Sequence, residues 1–126
     1  MSDAKTVAVL GASTERAKFG NKSVRAHLAA GWRVYPVNPK ETQVEGEKAY
    51  ASLAEVPRPL DRVSVYLPPP VTLKMLPALA ASGAGEVYFN PGSADPTVLA
   101  EARRLGIPAL DACSIVALGL SPSMFP

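Results

Sequence analysis

Few residues of this chain could carry covalent chemistry. It has one histidine, His27, and one cysteine, Cys113, so a nucleophile paired with its own base has no better support than chance. One His and one Cys cannot close a metal site, and Glu86, Asp95, Glu101 and Asp111 show no paired arrangement that spacing establishes. His27 sits mid-helix between Ala26 and Leu28 and reads as structural, and Cys113 reads as a small apolar packing residue. What the chain does offer is anion recognition. The apolar run Thr6-Val7-Ala8-Val9-Leu10 stops at Gly11-Ala12-Ser13, then passes through Thr14 to Gly20 into a helical pattern. Such a turn aims backbone N–H groups, and the positive end of the following helix, at a phosphate without needing a charged side chain.

The elements that must position this loop follow from the periodicity. Thr6 to Leu10 is a first strand, short and apolar enough to be buried on both faces. A helix capped by Asn21 or a neighbour runs to about Ala30, with Val24, Leu28 and Ala29 inward, and Gly31 stops it. Arg33 to Asn38 is a second strand. Pro36 has no ladder donor, so an edge position or a local break is expected there. Pro39 to Ala49 is loop or a weak hairpin, and Ser52 to Val56 is one helical turn. Arg62 to Leu67 is a third strand, and Pro68-Pro69-Pro70 then leads into a helix from about Val71 to Ser82. Pro77 should kink that helix or remove one of its bonds.

A fourth strand, Glu86 to Asn90, ends in the turn Pro91-Gly92-Ser93. Pro96 opens the next helix, which turns Val98, Leu99, Ala102 and Leu105 inward before Gly106. Ile107 to Leu110 is a fifth strand, Cys113 to Leu118 a short last helix, and Ser121 to Pro126 a tail. Five short apolar strands alternating with helical segments specify an α/β fold, a doubly wound, mostly parallel five-stranded sheet with right-handed crossovers. The expected order is 3-2-1-4-5, with ligands held at the carboxyl ends where the order reverses. Gly11 to Gly20, Asn38-Pro39-Lys40, Leu67-Pro68-Pro69 and Asn90-Pro91-Gly92 then become neighbours along one edge.

Composition bounds the rest. At 126 residues, 48% apolar and 19% charged, a single domain spanning 1–126 is expected. A formal charge of +2 without blocks of like charge argues against nucleic acid as a partner. No apolar run approaches the ~20 residues that span a bilayer, so no membrane partner is expected. Met1 to Lys5 runs almost directly into the first strand, leaving no room for a signal peptide. A single thiol excludes an intrachain disulfide and is compatible with a reducing compartment. The expected location is cytoplasmic.

The loop does not carry the dinucleotide fingerprint Gly-x-Gly-x-x-Gly. Gly11 fits its first position, but Ser13 stands at the second and Arg16 at the third. A serine still presents an N–H and a hydroxyl to a phosphate. The second strand ends Val37-Asn38-Pro39-Lys40, with no acid for the ribose hydroxyls that NAD requires. It offers a cation instead, which argues for an adenosine bearing an extra phosphate. Arg16, Lys18, Lys22 and Arg25 form either a ligand-facing set or a solvated face.

These residues resemble a family. Val9-Leu10-Gly11-Ala12-Ser13, Val37-Asn38-Pro39-Lys40, Tyr66-Leu67-Pro68-Pro69-Pro70 and Asp111-Ala112-Cys113 resemble the CoA-binding domain family, whose members include the N-terminal domain of succinyl-CoA synthetase alpha subunits. The likeness runs from about Thr6 to Cys113 and implies a Rossmann-like fold. It implies coenzyme A as the ligand, with Gly11, Ala12, Ser13, Thr14, Arg16, Lys18 and Gly20 at its phosphates. Asn38, Pro39 and Lys40 would lie near the phosphorylated ribose, where a lysine is a point charge for phosphate. Leu67, Pro68 and Pro69 would flank the adenine or the pantetheine arm. Asn90, Pro91 and Gly92 depart from the family's usual turn at that place, where the thiol end would lie. The resemblance places the phosphorylated histidine of succinyl-CoA synthetase in a further domain, so no counterpart of it is expected among these residues.

The expected function is therefore binding of CoA or an acyl-CoA without catalysis. One alternative is an NADP-binding redox enzyme or sensor, Lys40 taking the 2′-phosphate. Another is an interaction protein whose Pro-rich edges and apolar tail, Met124-Phe125-Pro126, dock an unknown protein partner. The same tail makes a homodimer plausible.

Overall fold

Val7, Ala8 and Val9 of the first strand, β1 (Thr6–Leu10), are all 0% exposed, and the sheet is built outward from them. A computed structural model describes residues 4–126; the lead through Asp3, read above as too short for a signal peptide, lies outside the described residues. After β1 come α1 (Phe19–Ala29), β2 (Arg33–Val37), the two-residue strands β3 (Gln43–Val44) and β4 (Glu47–Lys48), and a 3-10 turn at Leu53–Glu55. Then follow β5 (Arg62–Val65), α2 (Pro69–Ala81), β6 (Glu86–Phe89), α3 (Pro96–Arg104), β7 (Ala109–Leu110) and α4 (Ser114–Ala117), with a last 3-10 turn at Pro122–Met124. The α/β class and the five-stranded parallel sheet are as the sequence led one to expect.

The strand order is not. The sheet runs β2-β1-β5-β6-β7, all parallel. Counted by its own strands this is 2-1-3-4-5 rather than 3-2-1-4-5. Proline chemistry explains the correction. Pro36 cannot donate to a ladder, so β2 belongs at the edge, where the Pro36 carbonyl accepts from Tyr50 N–H and Asn38 N–H donates to Tyr50 O, each at 2.9 Å. The strand Arg62–Val65 is buried at every residue and belongs inside. The reversal of order therefore lies between β1 and β5, and their carboxyl ends frame the crevice.

Helices α2 and α3 cover one face, and α1 and α4 the other. On the first face Val63, Val65, Val87 and Phe89 meet Leu76 and Leu79 of α2 and Val98, Leu99 and Ala102 of α3 in one apolar core. Pro77 lies within α2 on an exposed side, so water can serve the carbonyl it leaves without a donor. Asp95 caps α3 by accepting from Val98 N–H at 2.9 Å, with Pro96 in the first turn.

The second face differs from the expected stripe. Ala29 is exposed and Leu28 only half-buried, while Ser23, Val24, Ala26 and His27 point inward. The cause is β5, whose residues beneath α1 include Arg62 and Ser64, both buried and both needing polar partners. Helix α1 also starts earlier than expected, at Phe19, with Lys18 in the cap position and no side-chain cap bond. Asn21 is not its cap. The polar stretch after Asn38 does form a small hairpin, turning through Glu45 (φ 51°) and Gly46 (φ 80°), the paired positive dihedrals of a type I′ turn.

Candidate ligand-binding cleft

The loop after β1 is held by contacts that only glycine permits. Gly11 has φ 85°, and a Cβ there would lie 2.3 Å from the Tyr66 carbonyl oxygen. A Cβ on Gly20 would lie 2.1 Å from the Gly11 carbonyl oxygen. The start of α1 is thereby pressed against the loop, and the loop against the end of β5. Gly11 N–H is already used, donating to Val37 O at 3.2 Å. The free donors lie further on. Phe19 and Gly20, the first two residues of α1, have no acceptor for their N–H groups among the described residues, and no acid stands in that first turn. An uncapped helix start of this kind suits an anion.

This helix start opens on a cleft of about 610 Å³. Gly11, Lys18 and Gly20 line one side, Leu67, Pro68 and Pro69 a second, and Asn90, Pro91 and Gly92 the floor beyond. Nine of the expected site residues thus meet around one space. Sequence reasoning missed Phe19, Tyr66, Ser93 and Pro122 as further lining residues, and placed Cys113 in packing when it borders the cleft half-buried. Phe19, 55% exposed, carried a legible hint: a large apolar residue in the first turn of a helix that follows an anion loop.

The remaining expected residues sit beside the cleft rather than on its walls. Ala12 is 0% exposed and contributes its carbonyl, which accepts from Asn38 Nδ2 at 2.8 Å. Asn38 Oδ1 in turn accepts from Lys40 N–H at 2.8 Å. One asparagine side chain therefore pins the turn after β2, Pro39 included, to the loop after β1. Ser13 Oγ accepts from Glu15 N–H at 3.0 Å. Thr14 bonds Glu41 at 3.2 Å, and Arg16 pairs with Glu45 at 3.4 Å, so both turn toward the small hairpin. Hydrogen bonding from Asn21 and the Arg16 guanidinium hold the Glu45 carboxyl below its ordinary range. Lys18 pairs with Glu15 at 3.3 Å, but Lys40 is exposed with no ion-pair partner among the described residues.

Beneath the cleft runs a buried polar network. Asn90 Nδ2 donates to Ser64 Oγ and to Val65 O, each at 2.9 Å, while its Oδ1 accepts from Ser114 N–H at 2.8 Å. Ser64 and Ser114 share a bond of 2.7 Å, and the Tyr66 hydroxyl lies 3.2 Å from Ser114 Oγ. Burial raises the Tyr66 pKa and keeps the phenol neutral. At the far end His27 is 0% exposed. Its Nε2 lies 3.3 Å from an Arg62 guanidinium nitrogen, a donor only, so Nε2 accepts and Nδ1 carries the hydrogen to Ser23 O at 2.8 Å. Burial pushes the His27 pKa down to about 4, partly offset by the Ser23 bond and reinforced by Arg62. Arg62 is held between the Trp32 and Tyr88 rings and bonded to Glu86. Among the described residues no group of His, Cys, Asp and Glu is arranged to hold a metal, and no helix is long and apolar enough to cross a membrane.

A family model described as "CoA binding domain" matches residues 5–119. Over 89 residues, 68% of this chain and 12% of the relative, the chain is 34% identical to trans-feruloyl-CoA synthase from an unknown prokaryotic organism. Over 65 residues, 49% of this chain and 14% of the relative, it is 38% identical to the alpha subunit of an ADP-forming acetate–CoA ligase of Pyrococcus furiosus. The chain therefore spans only a small part of the length of these relatives. Among solved structures, a Thermus thermophilus protein matches with a TM-score of 0.82 and 34% identity, covering 90% of this chain and 87% of that one.

Proposed function

The chain belongs to the CoA-binding domain family, and from that membership we propose that it binds coenzyme A or an acyl-CoA along the carboxyl edge of its sheet without performing chemistry itself. The observation that carries this reading is the uncapped start of α1 opening directly onto an apolar cleft. A ligand with phosphates at one place and a long, weakly polar arm beside it fits that combination. The loop from Gly11 to Gly20 and the first amides of α1 would hold the diphosphate. Leu67, Pro68 and Pro69 would flank the pantetheine arm, and the unpaired Lys40 would face the 3′-phosphate. CoA supplies a thiol that carries acyl groups; the chain's own residues bind and orient it. His27 is committed to Ser23 and Arg62, which supports a binding role rather than proton transfer in the cleft.

Thermal unfolding tests the reading. A ligand at 100 times its Kd stabilises the native state by about 2.7 kcal/mol, so CoA should raise Tm and acyl-CoA should be recovered intact after incubation. A Tm raised by NADP but not by CoA would overturn it in favour of a dinucleotide site. Release of free CoA from acyl-CoA would overturn the non-catalytic part.

A further inference from the structure

Pro122 lines the cleft although it lies beyond the family match, which ends at residue 119. The segment Ser121–Phe125 is bonded mostly to itself. Ser121 caps its 3-10 turn, Met124 N–H donates to Ser121 O, and Phe125 N–H to Pro122 O. None of the residues of that turn is fully buried, and Met124 is 60% exposed. Among the described residues a single hydrogen bond ties Ser121–Phe125 to the body: an Arg25 guanidinium nitrogen donates to Phe125 O at 3.0 Å. The same guanidinium lies 5.9 Å from the Phe125 ring. It also donates to Arg16 O at 2.8 Å and to Asn21 Oδ1 at 2.7 Å. Arg25 therefore clamps the segment and the loop after β1 with one planar group, and Gly119 (φ 80°) precedes the segment as a ready pivot.

We propose that Ser121–Phe125 is a strap that closes one wall of the cleft, latched by Arg25 and through it coupled to the phosphate loop. The proposal rests on the CoA reading. Besides its packing on α1, one hydrogen bond and one ring contact hold the strap among the described residues, so it belongs to the low-stability end of the molecule, from which gating elements are drawn. Arg25 is a positioning residue: it reaches the ligand only through the loop and the strap.

The test compares wild type with Phe125→Ala and Arg25→Ala. Hydrogen exchange at the Met124 and Phe125 amides reads the latch, and stopped-flow dissociation reads the ligand, using CoA and adenosine 3′,5′-bisphosphate, which keeps the 3′-phosphate and the first of the two 5′-phosphates without the arm. Losing the ring contact in Phe125→Ala should speed both strap exchange and CoA release by about threefold, and losing the ring contact and the hydrogen bond in Arg25→Ala by about tenfold. Bisphosphate release should be unchanged in Phe125→Ala. Strap exchange that does not respond to Arg25→Ala overturns the latch. Faster exchange with unchanged CoA release, or equal changes for CoA and bisphosphate in Phe125→Ala, overturns the strap's role at the cleft. If wild type binds neither probe, the CoA reading itself falls, and the exchange measurement still decides whether the latch exists.

Discussion

Gly20 sits so close to the Gly11 carbonyl oxygen that a Cβ at position 20 would lie 2.1 Å from it. A helix residue is thus used as a packing surface for the loop that precedes it, and both residues line the cleft. Glycine inside a helix ordinarily costs about 0.5–1 kcal/mol relative to alanine, so Gly20→Ala would stabilise a free helix. Here the contact is with backbone, which cannot swing aside. Gly20→Ala should instead destabilise the protein by about 1–3 kcal/mol, measured as a lower urea midpoint with unchanged m. An unchanged or higher midpoint would show that the loop yields.

His27 makes stability depend on pH. Its folded pKa of about 4 lies below the ordinary 6.5, so the unfolded chain binds this proton more readily. The stabilisation from the neutral ring is complete above about 6.5 and is lost as pH falls toward 4. Linkage sets its upper size at roughly 3 kcal/mol. Urea unfolding between pH 4.5 and 7.5 should show stability falling with acidity, and His27→Gln should flatten that slope. Wild-type stability that is level across the window would contradict the assignment.

The Asn90 side chain ties the end of β6 to β5 and to the start of α4. Asn90→Ala leaves the buried Ser114 N–H without an acceptor and takes the amide donor away from Ser64 Oγ, while the Val65 carbonyl keeps the Asn90 backbone N–H; the loss should cost about 2–3 kcal/mol. The loss should appear as a lower Tm and as faster hydrogen exchange at Ser114. A Tm within a degree of wild type would mean that water replaces the amide.

Lys40 reads one phosphate in the proposed complex. Lys40→Ala should weaken CoA by about tenfold, the scale of one charge-assisted hydrogen bond, and leave dephospho-CoA nearly unaffected. Competition binding measures both. Equal losses for the two ligands would place Lys40 away from the 3′-phosphate.

Most of the edge was legible because it rests on local chemistry: the Gly11 turn, the prolines before α2, and Asn38 and Asn90 at strand ends. Strand order was misread although Pro36 carried the answer, since a residue without an N–H donor marks β2 as the sheet margin. The polar inner face of α1 was hidden because periodicity ranks positions by hydrophobicity, and Ser23 and His27 are buried to serve Arg62 and Ser64 on a strand about forty residues away. Nor does any local pattern announce that Pro122 would border a cleft opened by Gly11. That follows from Arg25 reaching Phe125, a contact 100 residues long in sequence.

Calorimetric titration of the wild-type chain with CoA, dephospho-CoA, NADP and NAD decides whether the cleft takes coenzyme A. Saturable one-site binding is expected, with CoA tightest and dephospho-CoA weaker by about tenfold, one charge-assisted bond fewer. Binding of NADP with no heat from CoA would contradict it.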